Sequence, residues 1–172
     1  MIPQTPWIER SFTFQQPLGL VPATIERLRG VPARLTMLVA HHSEESLSVR
    51  PPDGSWSVKE HIGHLYDLDE IHDGRLDDFL VGEEMLRAAD ITNRRTSEAG
   101  YNGRNVAEIL GLFGQRRIKF VKRLLAFGEA DMVRAAIHPR LKTPMRMADM
   151  ALFTAEHDEH HMVKISGLLN LL

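Results

Sequence analysis

The strongest constraint on the fold is a pair of histidines four residues apart, His157 and His161, within the apolar stretch Ala148 to Leu169. In a helix that spacing puts both imidazoles on one face, about one turn or ~6 Å apart at Cβ. On the same wheel the pair falls between Met150, Phe153 and Leu168, so it points into an interior. His160 sits on the flank of that face, roughly 60° from His157. Two ligands rarely make a metal site, so a third is expected from a helix that faces this one.

Trp56 to Leu65 supplies the candidate. Ser57 and Glu60 have the spacing of a capping box, in which the hydroxyl and the carboxylate satisfy each other's backbone amides. The helix so started is expected to run from Ser57 to about Val81, with Val58, Ile62, Leu65, Leu76 and Phe79 on its buried side. His61 and His64 lie in its first two turns, and His61, His64 and His72 fall at or within the buried side. An unsatisfied buried polar group costs ~1 to 3 kcal/mol, so these rings need partners or a metal. Asp67, Asp69 and Glu70 are within reach as outer hydrogen-bond partners that would fix a ligand's tautomer.

The remaining pattern is helical. Residues 1–17, with three prolines and Trp7, Phe12 and Phe14, read as an N-terminal arm. A first helix from Leu18 to His42 should kink or break near Pro32. His41 and His42 at its end read as cations favoured at a helix C-terminus rather than as ligands. Glu83 to Gly103 reads as a long crossover connection with a short helical piece. Asn105 and Glu108 cap a third long helix, in which Arg116, Arg117, Lys119, Lys122 and Arg123 read as a solvated face. Glu129 to Ile137 is expected to form a short extra helix, and Thr143-Pro144 to launch the last one. No convincing strand alternation occurs, so the expectation is a single all-α domain over residues 1–172, a four-helix bundle whose core can carry a metal site.

A chain of 172 residues can bury ~70% of its unfolded surface. A metal is therefore expected to be functional rather than structural. With 21 Lys and Arg against 23 Asp and Glu and no basic block, nucleic acid is a poor partner. The absence of cysteine removes disulfides, thiolate zinc sites and cysteine nucleophiles. No apolar run approaches the ~20 residues of a membrane span, and Met1 to Gln16 does not read as a signal peptide, so a cytoplasmic, membrane-free protein is expected.

One imidazole from the second helix and two from the fourth would form an open catalytic zinc site. The same set also accepts nickel, copper, cobalt or iron. The competing reading is of core histidines satisfied by Asp67, Asp158 and Glu159.

The run Trp56 to Leu65, followed about ninety residues later by Glu156 to His161, resembles the DinB-like superfamily of metal-binding four-helix bundles. The resemblance spans the first helix to the last and implies up-down-down-up connectivity, frequent dimerisation and a divalent metal held by three histidines. Carried onto this sequence, the ligands would be His64, His157 and His161, with zinc or nickel foremost and iron, manganese or cobalt as alternatives. It implies an enzyme in which the metal activates a low-molecular-weight thiol for S-transfer to an electrophilic small-molecule substrate. His160 or His61 would then be a nearby acid, base or outer donor. The alternatives are a metal-dependent hydrolase and a non-catalytic metal- or ligand-binding stress protein. A homodimer is expected.

Overall fold

The capping box at Ser57 forms: its hydroxyl accepts from the Glu60 amide at 3.2 Å, and Glu60 Oε2 accepts from the Ser57 amide at 2.9 Å. In the computed structural model, which describes residues 3–170, this starts a helix that ends where Gly82 turns left-handed at φ 78°. The helices are α1 (Val21–Val39), α2 (Glu44–Ser48), α3 (Val58–Val81), α4 (Arg94–Glu98), α5 (Val106–Leu125), α6 (Glu129–Met132) and α7 (Met147–Leu168). Residues 1, 2, 171 and 172 of the expected domain lie outside the described residues.

Four long helices make the bundle, and its two core layers fix their directions. In one layer Val21, Ile25 and Leu28 at the start of α1 meet Leu76 and Phe79 at the end of α3. Phe120 and Leu124 at the end of α5 and Met147 to Phe153 at the start of α7 complete it. In the other, Leu35 and Val39 meet Val58 and Ile62, Ile109 and Phe113, and Ile165. The starts of α1 and α7 therefore share one end with the finishes of α3 and α5, which is up-down-down-up. Both α1 and α3 pack chiefly against α5 and α7, so the first two long helices lie across a diagonal. No helix among the described residues is long and apolar enough to cross a membrane.

Because α3 and α5 run parallel, the chain must return the length of the bundle between them. That crossover holds α4 and a 3-10 turn at Tyr101–Gly103. Tyr101 is 2% exposed and lies so close to Gly63 that a Cβ there would sit 2.3 Å from its ring. Only glycine permits this approach, and through it the crossover packs against the first turns of α3.

Three local expectations need correction. First, α1 runs through Pro32 unbroken. Proline leaves the carbonyl four residues back without its donor, and Leu28 O instead accepts from Arg117 Nη1 at 3.2 Å. Second, Arg117 is therefore no part of a solvated face. It is 1% exposed and ion-paired with Asp69 and Asp158, which are 0% and 1% exposed.

Third, the segment before α7 is a β-hairpin. β1 (Ala135–Ile137) pairs antiparallel with β2 (Pro144–Arg146), so the extra helix stops at Met132 and Thr143-Pro144 does not cap α7. Pro144 is tolerated because its partner Ile137 turns its amide to Glu84 O at 2.8 Å. Asp149 caps α7 instead, accepting from the Arg146 amide at 3.2 Å and from the amides of Gln15 and Gln16 at 3.0 Å. The last two bonds also pin the N-terminal arm across the start of α7.

Candidate metal centre

The second helix brings His64, and the last brings His157 and His161, to one buried point. One ring nitrogen from each lies within 4.8 Å of the other two. His157 Nε2 and His161 Nε2 face each other at 3.1 Å, close to the nitrogen spacing of a tetrahedral zinc site.

Hydrogen bonding shows which nitrogens are free. Thr96 Oγ1, from α4, has one hydrogen and donates it to Asp67 Oδ2 at 2.9 Å. It can therefore only accept from His64 Nδ1, 3.3 Å away, and that tautomer leaves the Nε2 lone pair of His64 bare. Tyr101 donates to the other oxygen of Asp67 at 2.8 Å, so the crossover locks the chain Tyr101, Asp67, Thr96, His64. On the far side His161 Nδ1 lies 2.9 Å from His61 Nδ1. For the Nε2 of His161 to be bare, its Nδ1 must donate and His61 must accept.

Burial keeps these rings neutral, the form that binds metal. It pushes His64 down to about 3 and His61 and His160 down to about 4, and it holds His157, His161 and His72 well below the ordinary value. The unfolded chain, titrating near 6.5, binds more protons between these limits, so stability is full above about 6.5 and is lost as pH falls below it. Each such histidine costs up to ~1.4 kcal/mol per pH unit. A few together exceed the stability of an ordinary domain, so metal-free protein should unfold between pH 6 and 4 by circular dichroism, at ~2 kcal/mol per histidine by pH 5. A protein equally stable at pH 5 and pH 8 would show these rings to be solvated.

The three rings form one wall of a cavity of about 550 Å³. Trp7, from a 3-10 turn in the arm, covers part of it, with its ring 5.0 Å from His157 and 5.7 Å from His160. Trp56 packs 4.7 Å from His64. His160 lines the cavity beside the triad with Nδ1 buried and unpartnered, whereas His61 sits behind His161. His157 Nδ1 and both nitrogens of His72 are likewise buried without a partner.

Of the acids expected around the site, only Asp67 reaches it, through Thr96. Asp69 and Asp158 hold Arg117, Glu70 pairs with Arg95, and Glu159 with Arg27. Trp56 and Phe153 line the cavity, whereas Met150 is buried in the core and Tyr66 stacks under Arg116. Thr96, Tyr101, Arg75, Arg140 and the cover formed by Trp7 carried no recognisable spacing in the sequence.

Three buried, neutral, converging imidazoles, the tautomer of His64 fixed by Thr96, fit a divalent cation by donor chemistry and by spacing. No curated protein matches the sequence. Among solved structures, YfiT from Bacillus subtilis, described as a probable metal-dependent hydrolase with an unusual four-helix bundle topology, is similar in fold. Its TM-score is 0.80 at 22% identity, over 95% of this chain and 93% of that one. The family model of the DinB superfamily matches residues 27–164, which contain the capping box, the crossover and all three converging histidines. The chain belongs to the DinB superfamily.

Proposed function

We propose that the chain is a metal-dependent enzyme that joins a small thiol to an electrophile, with His64, His157 and His161 holding the cation, zinc or nickel foremost. The observation that carries this reading is the opening of three neutral imidazoles onto a covered cavity of about 550 Å³, a volume suited to a small molecule. When bound, a divalent cation acts there as a Lewis acid that acidifies a nucleophile. With no cysteine in the chain, the thiol has to come from a second small molecule.

Two features favour thiol over water. A thiol ionises near ~8.5 when free and would be deprotonated outright on the cation, whereas water held by zinc would ionise only near ~7 to 9. The carboxylate on the cavity wall, Asp90, is already taken up by Thr92 and Arg94. His160, neutral at pH 7, lines the cavity as a hydrogen-bonding group for the bound thiol, whose acidity the cation supplies. His61 orients His161, and Trp7 and Trp56 exclude water. Hydrolysis is the second reading, favoured by the likeness to YfiT.

The test is turnover of a chromogenic aryl chloride by zinc-loaded protein, in which a C–S bond forms, chloride leaves and a proton is released. Turnover that needs both metal and thiol is expected. Metal-dependent cleavage of esters without thiol would assign the site to hydrolysis. Tight metal binding with neither reaction would leave a binding protein.

A further inference from the structure

The cavity wall contributed by the β1–β2 loop and the middle of α3 carries two buried donor nitrogens that lack an acceptor, on Arg140 and His138, and a guanidinium, that of Arg75, with a single bond. Arg75 is 3% exposed, and the one hydrogen bond it donates among the described residues runs from Nε to Arg87 O at 3.1 Å. Asp78, whose charge reaches it, is already gripped by Arg87 through Nη2 at 2.6 Å and the backbone amide at 2.8 Å. Arg140 lies beside Trp7 and Phe153, its Cζ 6.0 and 5.9 Å from their rings, and its Nη2 is buried without a partner. Among the described residues neither guanidinium belongs to an ion pair.

His138 adds a third donor. Its Nδ1 accepts from the amides of Arg140 at 3.3 Å and Leu141 at 3.2 Å, so the hydrogen sits on Nε2, which is buried and unpartnered. Both arginines line the same cavity as the triad, and the indole of Trp7 bridges Arg140 and His157. Burial weakens both cations, Arg75 down to about 10, and their mutual repulsion adds to the effect on Arg75. Unpaired buried charge is costly unless something supplies the opposite sign. In a chain of net charge −2, positive charge left unpaired in one cavity calls for an anion.

We propose that Arg75, Arg140 and the His138 Nε2–H form a subsite for the carboxylate of the small molecule whose reacting end lies at His64, His157 and His161. This rests on reading those histidines as the reacting end of the cavity. The substrate class is then a thiol that also carries a carboxylate. Guanidinium suits this because it meets a carboxylate through two parallel N–H bonds.

The test uses zinc-loaded full-length protein and three probes: mercaptohexanoate, the neutral mercaptohexanol of equal length, and hexanoate. Trp7 and Trp56 are the chain's two tryptophans and both line the cavity, so their fluorescence reports occupancy, with calorimetry as the check. Mercaptohexanoate is expected to bind at least ~10-fold tighter than mercaptohexanol. Arg140→Gln should shrink that preference to under ~3-fold while zinc content and mercaptohexanol affinity stay unchanged.

Equal affinities in the wild type, or a preference that survives Arg140→Gln, overturns the subsite. The wild-type comparison needs no variant to fold. Hexanoate that binds as tightly as mercaptohexanoate, with the same dependence on Arg140, upholds the subsite and removes the thiol from the proposed function.

Discussion

Alanine in place of His157 or His64 is expected to strip the chain of divalent cation, from near one ion per chain to less than about a tenth of that at the same free metal. Elemental mass spectrometry on untagged protein after zinc reconstitution makes the measurement. The two variants sit on helices that approach only in the folded bundle, so a shared loss means one site. Thr96→Val should be milder, weakening affinity ~10- to 100-fold, because it removes the acceptor that fixes the tautomer of His64 and spares the donors themselves. Full metal content in His64→Ala would reduce the histidines to packing residues and sink the enzyme reading.

The largest effect on stability is expected from Arg117→Met. In the wild type, burial works against the charge on Arg117, but Asp158 and Asp69 more than offset it and hold the guanidinium protonated. Burial likewise raises both carboxyls, Asp158 to about 6, against the pull of Arg117. Removing the arginine leaves two buried carboxylates without a cation and frees the Leu28 carbonyl, a loss of ~3 to 5 kcal/mol at pH 8. Carboxyls with folded pKa above the unfolded value stabilise below the unfolded pKa and lose that contribution as pH rises through the folded one. The deficit should therefore be smaller at pH 6 than at pH 8. Urea unfolding at the two pH values, with metal bound to keep the histidines out of the titration, reads the difference. A cost under ~1 kcal/mol at both would show the triad to be dispensable.

The long helices were legible from their apolar periods, and two of them also from a start signal: Ser57 with Glu60, and Asn105, whose Oδ1 accepts from the Ala107 amide. The histidine pair was legible for the same reason, since a four-residue step in a helix is already a distance in space. Arg117 was misread within a basic run, although its register gave it away. Phe113, Arg117, Phe120 and Leu124 follow one stripe at helical spacing, as do Leu65, Asp69, His72 and Leu76 on α3, so a charge stood in each apolar row.

The hairpin was hidden by the shortness of its strands. Three residues cannot show an alternation, and its pairing with Glu84 and Leu86 is a tertiary choice that Thr143-Pro144 does not foretell. Arg140 and His138 reach the cavity only because that hairpin forms. Thr96 reaches His64 only because the crossover folds back. Neither placement is written in local spacing.

The bond between His61 and His161 spans 100 residues of sequence, and a cation held by α3 and α7 would close a loop of about that size. Contacts so distant form late in folding, after the entropy of loop closure has been met. A chain still leaving the ribosome could not hold the ion until its last helix had emerged. Bound metal would then fasten the first-made half of the protein to the last, adding RT ln(1 + [M]/Kd) to its stability. The melting temperature would follow the free metal of its surroundings, so metal supply would govern how long the molecule lasts as well as what it does.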